Sequence, residues 1–117
     1  MAVIPAPGNL QTAQTGNADS TNTILDVDFS RPSSIKIVST IGATPTVTVN
    51  IQGSVDGTTW FNIPYALTSA PSTYVLTALT ITTAVTSFYL LQTGLGWNYV
   101  KLVMSANTNV TLTSDYF

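Results

Sequence analysis

Cysteine, histidine and glutamate are missing from this chain of 117 residues, and lysine and arginine together number only 3. Without thiol or imidazole there is no disulfide, no Cys/His zinc site and no familiar base to activate a serine or cysteine nucleophile. Charged side chains are 7% of the residues, against roughly a quarter in an average soluble domain. Asp19, Asp26, Asp28, Asp56 and Asp115 stand against Arg31, Lys36 and Lys101, for a net charge of −2. Three scattered cations give no surface that tracks phosphates, so nucleic acid is not expected as a partner. No apolar run approaches the ~20 residues of a membrane-spanning helix. The start, Met1-Ala2-Val3-Ile4-Pro5, lacks the basic end and long apolar core of a signal peptide, which predicts a protein used without secretion by that route.

What remains is 44% hydrophobic residues set among many Thr, Ser, Asn and Gln. Hydroxyls and amides must therefore build the surface. The length suits one domain able to bury a core.

The clearest local signal lies in residues 46–64. Val47, Val49 and Ile51 alternate with Thr48, Asn50 and Gln52, the period of a half-buried strand, and Asp56-Gly57 then signals a hairpin. A two-residue loop would place Trp60 and Asn62 on the face of Val49 and Ile51. A three-residue loop, Val55-Asp56-Gly57 with Gly57 left-handed, places Phe61 and Ile63 there instead. The second buries two large apolar side chains and is favoured, leaving Trp60 in need of other cover.

Elsewhere the same period predicts short strands. Leu25, Val27 and Phe29 alternate with Asp26 and Asp28, giving an apolar face and a wet acidic one. Ile35 and Ile37 carry a second strand to about Thr40, and residues 41–45 turn the chain. Residues 65–72 read as a loop and 74–84 as a strand. Phe88-Tyr89-Leu90-Leu91, apolar at four consecutive positions, predicts a strand covered on both faces, followed by a turn at Gly94-Leu95-Gly96. Val100, Leu102 and Met104 share one face of the next strand. Asn107-Thr108-Asn109 turns into a last one carrying Val110, Leu112 and Tyr116. The expected core is Val47, Val49, Ile51, Phe61, Ile63, Val100, Leu102 and Leu112. About eight short strands without a helix-forming stretch predict an all-β fold, an antiparallel β-sandwich of jelly-roll type.

Residues 1–22 show neither strand nor helix period, and Pro5, Pro7, Gly8 and Gly16 interrupt both. They read as an extended N-terminal arm preceding a sandwich domain of residues 23–117. The arm is either a disordered terminus or a segment ordered against a neighbouring subunit through Val3, Ile4 and Leu10.

Asp26 and Asp28, about 7 Å apart on one strand face, have nothing near them in sequence to raise either pKa, and read as charges that keep an edge strand from pairing. Calcium at Asp26, Asp28 or Asp56 has suitable oxygen donors but no loop motif. Trp60, Trp97, Tyr65, Tyr74 and Tyr99 are candidates for a sugar-stacking platform, or for anchors of core and interface. No catalytic residue, cofactor, metal or small-molecule substrate is expected.

The run Gln52-Gly53-Ser54-Val55-Asp56-Gly57-Thr58-Thr59-Trp60, followed by Trp97-Asn98-Tyr99-Val100-Lys101-Leu102-Val103 and the Ser105-Ala106-Asn107 turn, resembles small β-sandwich virion proteins of tailed bacteriophages, and among them head decoration, or cement, proteins. The resemblance covers roughly residues 46–117. It implies a structural protein, made in the host cytoplasm, that binds the major capsid protein on the outside of the head and stabilises it. It carries no catalytic residues. Rival readings are a phage tail or baseplate component, a carbohydrate-binding module and, last, an enzyme. The apolar strand at 88–91 and the apolar residues of the arm predict self-association as a homotrimer. The expected contact residues are Val3, Ile4, Pro5, Pro7, Leu10, Trp60, Tyr89 and Leu91.

Overall fold

The computed structural model describes residues 2–27, 32–92 and 96–117. Expectations placed on Met1, Asp28, Phe29, Arg31, Gly94 and Leu95 lie outside the described residues. The described chain is all-β, with no helix, and its nine strands form one mixed sheet.

The spine of the sheet is a pair of long strands, β4 (Ser33–Ser54) and β9 (Tyr99–Tyr116). They run antiparallel from Ile35↔Tyr116 to Ser54↔Tyr99. On its other edge the first half of β4 pairs with β8 (Thr86–Leu91), and the second half pairs with β7 (Leu79–Ile81) and β5 (Phe61–Asn62). Strand β6 (Tyr65–Leu67) continues the sheet beyond β8. Val47, Val49 and Ile51, Val100, Leu102 and Met104, and Ile35, Ile37, Val110, Leu112 and Tyr116 all join one buried cluster. Both halves of the long ladder thus feed the same core, and period-two alternation is what puts their apolar side chains on that side.

Two segments expected to end strands do not. Residues 41–45 and Asn107-Thr108-Asn109 lie inside β4 and β9, and the ladder passes through them with register shifts between Ile41 and Thr46 and between Thr46 and Thr48. Thr44 (φ 46°), Ala106 (φ 50°) and Asn109 (φ 54°) are left-handed here. The Asn109 side-chain amide donates to the Ala43 carbonyl at 2.6 Å. Asn107 closes its own loop by donating to the Val110 carbonyl and accepting from the Val110 N–H. The turn-forming residues are used, but as bulges that bend a continuous pair.

Residues 2–5 and 8–14 of the expected arm are extended strands, and they do not stand apart from the domain. Strand β1 (Ala2–Pro5) pairs in parallel with β3 (Asn22–Leu25), and β2 (Gly8–Gln14) pairs antiparallel with β9. The division at 22/23 has no counterpart in the sheet, which takes strands from both sides of it. A register shift between Asn9 and Gln11 puts both Leu10 and Gln11 at 0% exposure. Gln11 donates to Ser114 Oγ at 3.1 Å inside the core. Adjacent buried positions, one of them an amide, erase the alternation a strand would show.

Strand β3 has the opposite face inward from that expected. Ile24 and Asp26 are buried while Val27 is 81% exposed. Asp26 is not on a wet face: its Oδ2 accepts from the buried Tyr116 hydroxyl at 2.8 Å. Residues 65–67, expected in a loop, form β6, and of residues 74–84 only Leu79–Ile81 is a strand.

In the hairpin, Gly53 pairs with Phe61 and Gln52 with Asn62, and the Ile63 N–H donates to the Ile51 carbonyl at 2.8 Å. Phe61 and Ile63 are therefore in the parity of the three-residue loop, but two positions further along, with a longer loop between. Gly57 is left-handed, as expected (φ 83°). Ile63 is buried, but Phe61 is 56% exposed, so it is not a core residue. A Cβ on Gly53 would lie 2.6 Å from Ile63 Cδ1 and 2.8 Å from Trp97 Cγ. Ile63 and Trp97 occupy the space over Gly53, and Phe61 is left outside against the Trp97 ring, with centroids 5.9 Å apart.

Candidate functional site

The loop of the hairpin is a rigid turn built on one carboxylate. Asp56 Oδ1 accepts from Ser54 Oγ at 3.0 Å and from the N–H groups of Thr58 and Thr59 at 2.9 and 2.8 Å. Its Oδ2 accepts from Thr59 Oγ1, at 3.3 Å. The N–H of Thr59, that of Thr58 and the Ser54 hydroxyl hold the Asp56 carboxyl far below its ordinary range, because donors to the charged form favour it. Gly57 lies against Tyr99, whose ring would be 3.3 Å from an added Cβ.

Beside this turn the outward side of β1, β3 and β9 is hollowed into a cleft of about 330 Å³ lined by Val3, Thr23, Asp56, Gly57, Trp60 and Tyr99. Trp60 has the cover its position demanded. The Lys101 ammonium lies 4.3 Å from the centre of its ring and is paired with Asp19 Oδ2 at 2.8 Å, a cation held on an aromatic face.

A second feature lies on β8. Tyr89 and Leu91 face the core, so the strand is covered on one side only. Phe88 (42% exposed) and the half-buried Leu90 point the other way. Phe88 meets Phe117 (48% exposed) with ring centroids 6.5 Å apart, and Leu90 shares a hollow with Tyr74. Phe88, Leu90 and Phe117 thus put apolar surface on the outward side of β8, bordered on β4 and β9 by Lys36 and Asp115, which lie in the same cross-strand row as Phe88.

The eight expected contact residues divide accordingly. Leu10, Tyr89 and Leu91 belong to this chain's own core and present no contact surface. Burial pushes the Tyr89 phenol above its ordinary pKa, outweighing the opposing Ser87 hydrogen bond. Ile4 is half-buried against the core. Val3, Pro5 and Pro7 are exposed, and Trp60 is half-buried under Lys101. The five aromatics do not form one platform: Tyr65 is packed edge-on against Tyr89 inside, Trp97 lies under Phe61, and Tyr74 is beside Leu90. Only Trp60 and Tyr99 meet in the cleft. Asp26 and Asp56 are each engaged by hydrogen-bond donors of the chain, and no group of three or more metal-ligating side chains occurs among the described residues. Sequence reasoning missed Phe88 and Phe117 as surface residues. The alternation within 88–91 would have assigned two of the four outward once one face was given to the core.

No protein-family model, curated protein or solved structure matches the chain.

Proposed function

We propose that this protein is a structural component of a tailed-phage virion that docks on the outer surface of the assembled head, contacts the major capsid protein and stabilises the shell. The observation that carries the reading is the outward apolar patch of Phe88, Leu90 and Phe117 on a chain with 7% charged residues. Interface cores are depleted in charge and enriched in aromatics, and an exposed contiguous apolar patch marks a docking surface. The resemblance of residues 52–60 and 97–103 to decoration proteins supplies the shell as the partner. A jelly-roll-like sandwich belongs to the same reading. What supports it is the pairing of β4 with β9 along their length while both halves bury side chains in one core, as in a long ribbon doubled over itself. Many symmetric copies on a shell let modest contacts suffice.

The test mixes purified protein with undecorated heads and measures co-sedimentation together with the temperature at which heads release DNA. Wild type is expected to co-sediment and raise that temperature, and a folded Phe88→Ser/Phe117→Ser variant to do neither. Wild type that stays in the supernatant would overturn the reading.

A further inference from the structure

We propose that the cleft between the Asp56 turn and β1 is a binding site for one unit of a neutral saccharide, a function separate from attachment to a head. Three observations select that ligand class. Trp60 and Tyr99 give the cleft aromatic surface, and Val3 adds an apolar wall, surfaces that suit the C–H face of a pyranose ring. Asp56 stands at the rim as an acceptor that needs no reorganisation. Its Oδ1 is fixed by three donors, while its Oδ2 takes a longer contact from Thr59 Oγ1 at 3.3 Å, so the exposed carboxylate keeps accepting capacity for sugar hydroxyls. The charge at the rim then disfavours an anion, which would meet the Asp56 carboxylate, while a neutral polyhydroxylated ring meets no like charge there. An organic cation is the competing occupant, and titration with tetramethylammonium separates it from a sugar.

The site is also preformed. Lys101 is held to Asp19 at 2.8 Å and Tyr99 rests on Gly57, so neither aromatic wall has to be ordered when a ligand arrives. The turn itself comes from residues 54–59, whose hydrogen bonds are local.

The experiment titrates the full chain with maltotriose, cellotriose and mannotriose, and separately with tetramethylammonium, following tryptophan fluorescence and two-dimensional NMR. At least one trisaccharide is expected to give a saturable response that perturbs the resonances of Trp60 and Tyr99 and leaves the Trp97 indole unchanged, while tetramethylammonium gives none. Trp60→Ala is expected to weaken binding about tenfold through loss of the stacking surface. Asp56→Asn keeps an Oδ1 for the three donors of the turn but replaces the other anionic oxygen with a donor, and should weaken binding to a similar degree. The NMR map is read on wild type, so the test survives a variant that fails to fold. No saturable response to any of the three sugars, a response mapping away from Trp60 and Tyr99, or saturation by tetramethylammonium instead would each overturn the proposal. None of these results bears on co-sedimentation with heads.

Discussion

Ile63 and Phe61 lie two residues apart on the same side of the chain, yet truncation should affect them unequally. Ile63 is buried against the space over Gly53, so Ile63→Ala removes core volume and should cost about 2 to 5 kcal/mol in urea denaturation. Phe61 loses mainly an exposed ring contact with Trp97, and Phe61→Ala should cost about 1 kcal/mol. Equal losses at the two positions would put Phe61 back in the core. Gly53→Ala tests the same packing from the other side. Its new methyl group would meet Ile63 and Trp97 at under 3.0 Å, and overpacking of that kind costs about 1 to 3 kcal/mol. Asp56 adds a pH dependence whose sign is fixed by its donors. Its folded pKa is depressed from the ordinary 3.8, so its contribution is full above the unfolded value and fades as pH falls below it. The stability difference between wild type and Asp56→Ala should therefore be largest at neutral pH and shrink in acid. A difference independent of pH would mean that the turn does not rely on the ionised carboxylate.

Elements respond through the continuity of the β4–β9 ladder and through the strands laid on its ends. Deleting residues 1–22 removes β1 and β2 together with the fully buried Leu10 and Gln11. Calorimetry of the truncated chain should show the folding transition lost or greatly lowered, whereas a detachable arm would leave it in place. At the bend, Thr44 is left-handed, a conformation that costs a non-glycine residue about 1 to 2 kcal/mol. Thr44→Gly relieves that strain at an entropic cost of about 0.5 to 1 kcal/mol, so it should leave stability unchanged or slightly raised. The inward alternation of Val47, Val49 and Ile51, of Val100, Leu102 and Met104, and of Val110, Leu112 and Tyr116 was legible in the sequence because each run is a half-buried strand with one apolar face. The ladder's continuity was not, since Thr44, Ala106 and Asn109 carry the same local signature in a bulge as in a terminating turn. Nor was β2, where a register shift buries two adjacent residues, or the inversion of β3, where Asp26 is drawn inside by the Tyr116 hydroxyl. Of the site, the Asp56-Gly57 turn and the need to cover Trp60 could be read from spacing. The cleft could not, because Val3 and Thr23 reach Trp60 only through the pairing of β1 with β3 and of β3 with β9.

For the molecule as a whole, the absence of charge governs association. A net charge of −2 gives little mutual repulsion between copies, and the Asp19–Lys101 pair neutralises part of what charge there is. The outward side of β8 then has two ways to leave water, against a shell or against a sister subunit, and the two are separable in solution. If Phe88, Leu90 and Phe117 hold subunits together, sedimentation velocity of the free protein should give a trimer, and Phe88→Ser should shift it to monomer while the near-native circular dichroism of an all-β chain is retained. If the free protein sediments as a monomer across the accessible concentration range, the proposed homotrimer in solution fails and the patch is left for the capsid. In that case Phe88→Ser should abolish binding to heads without changing the sedimentation of the free chain. Burial of the parts of the two phenylalanine side chains still exposed (42% and 48%) is worth about 1 to 3 kcal/mol before the costs of association. That is small for a lone contact and sufficient for one repeated over a symmetric surface, where a second linked contact strengthens the whole by about a hundredfold or more. Head binding by the wild type should therefore rise more steeply than in proportion to its concentration as neighbouring positions on the shell fill, and a strictly linear rise at low occupancy would show that each subunit binds alone.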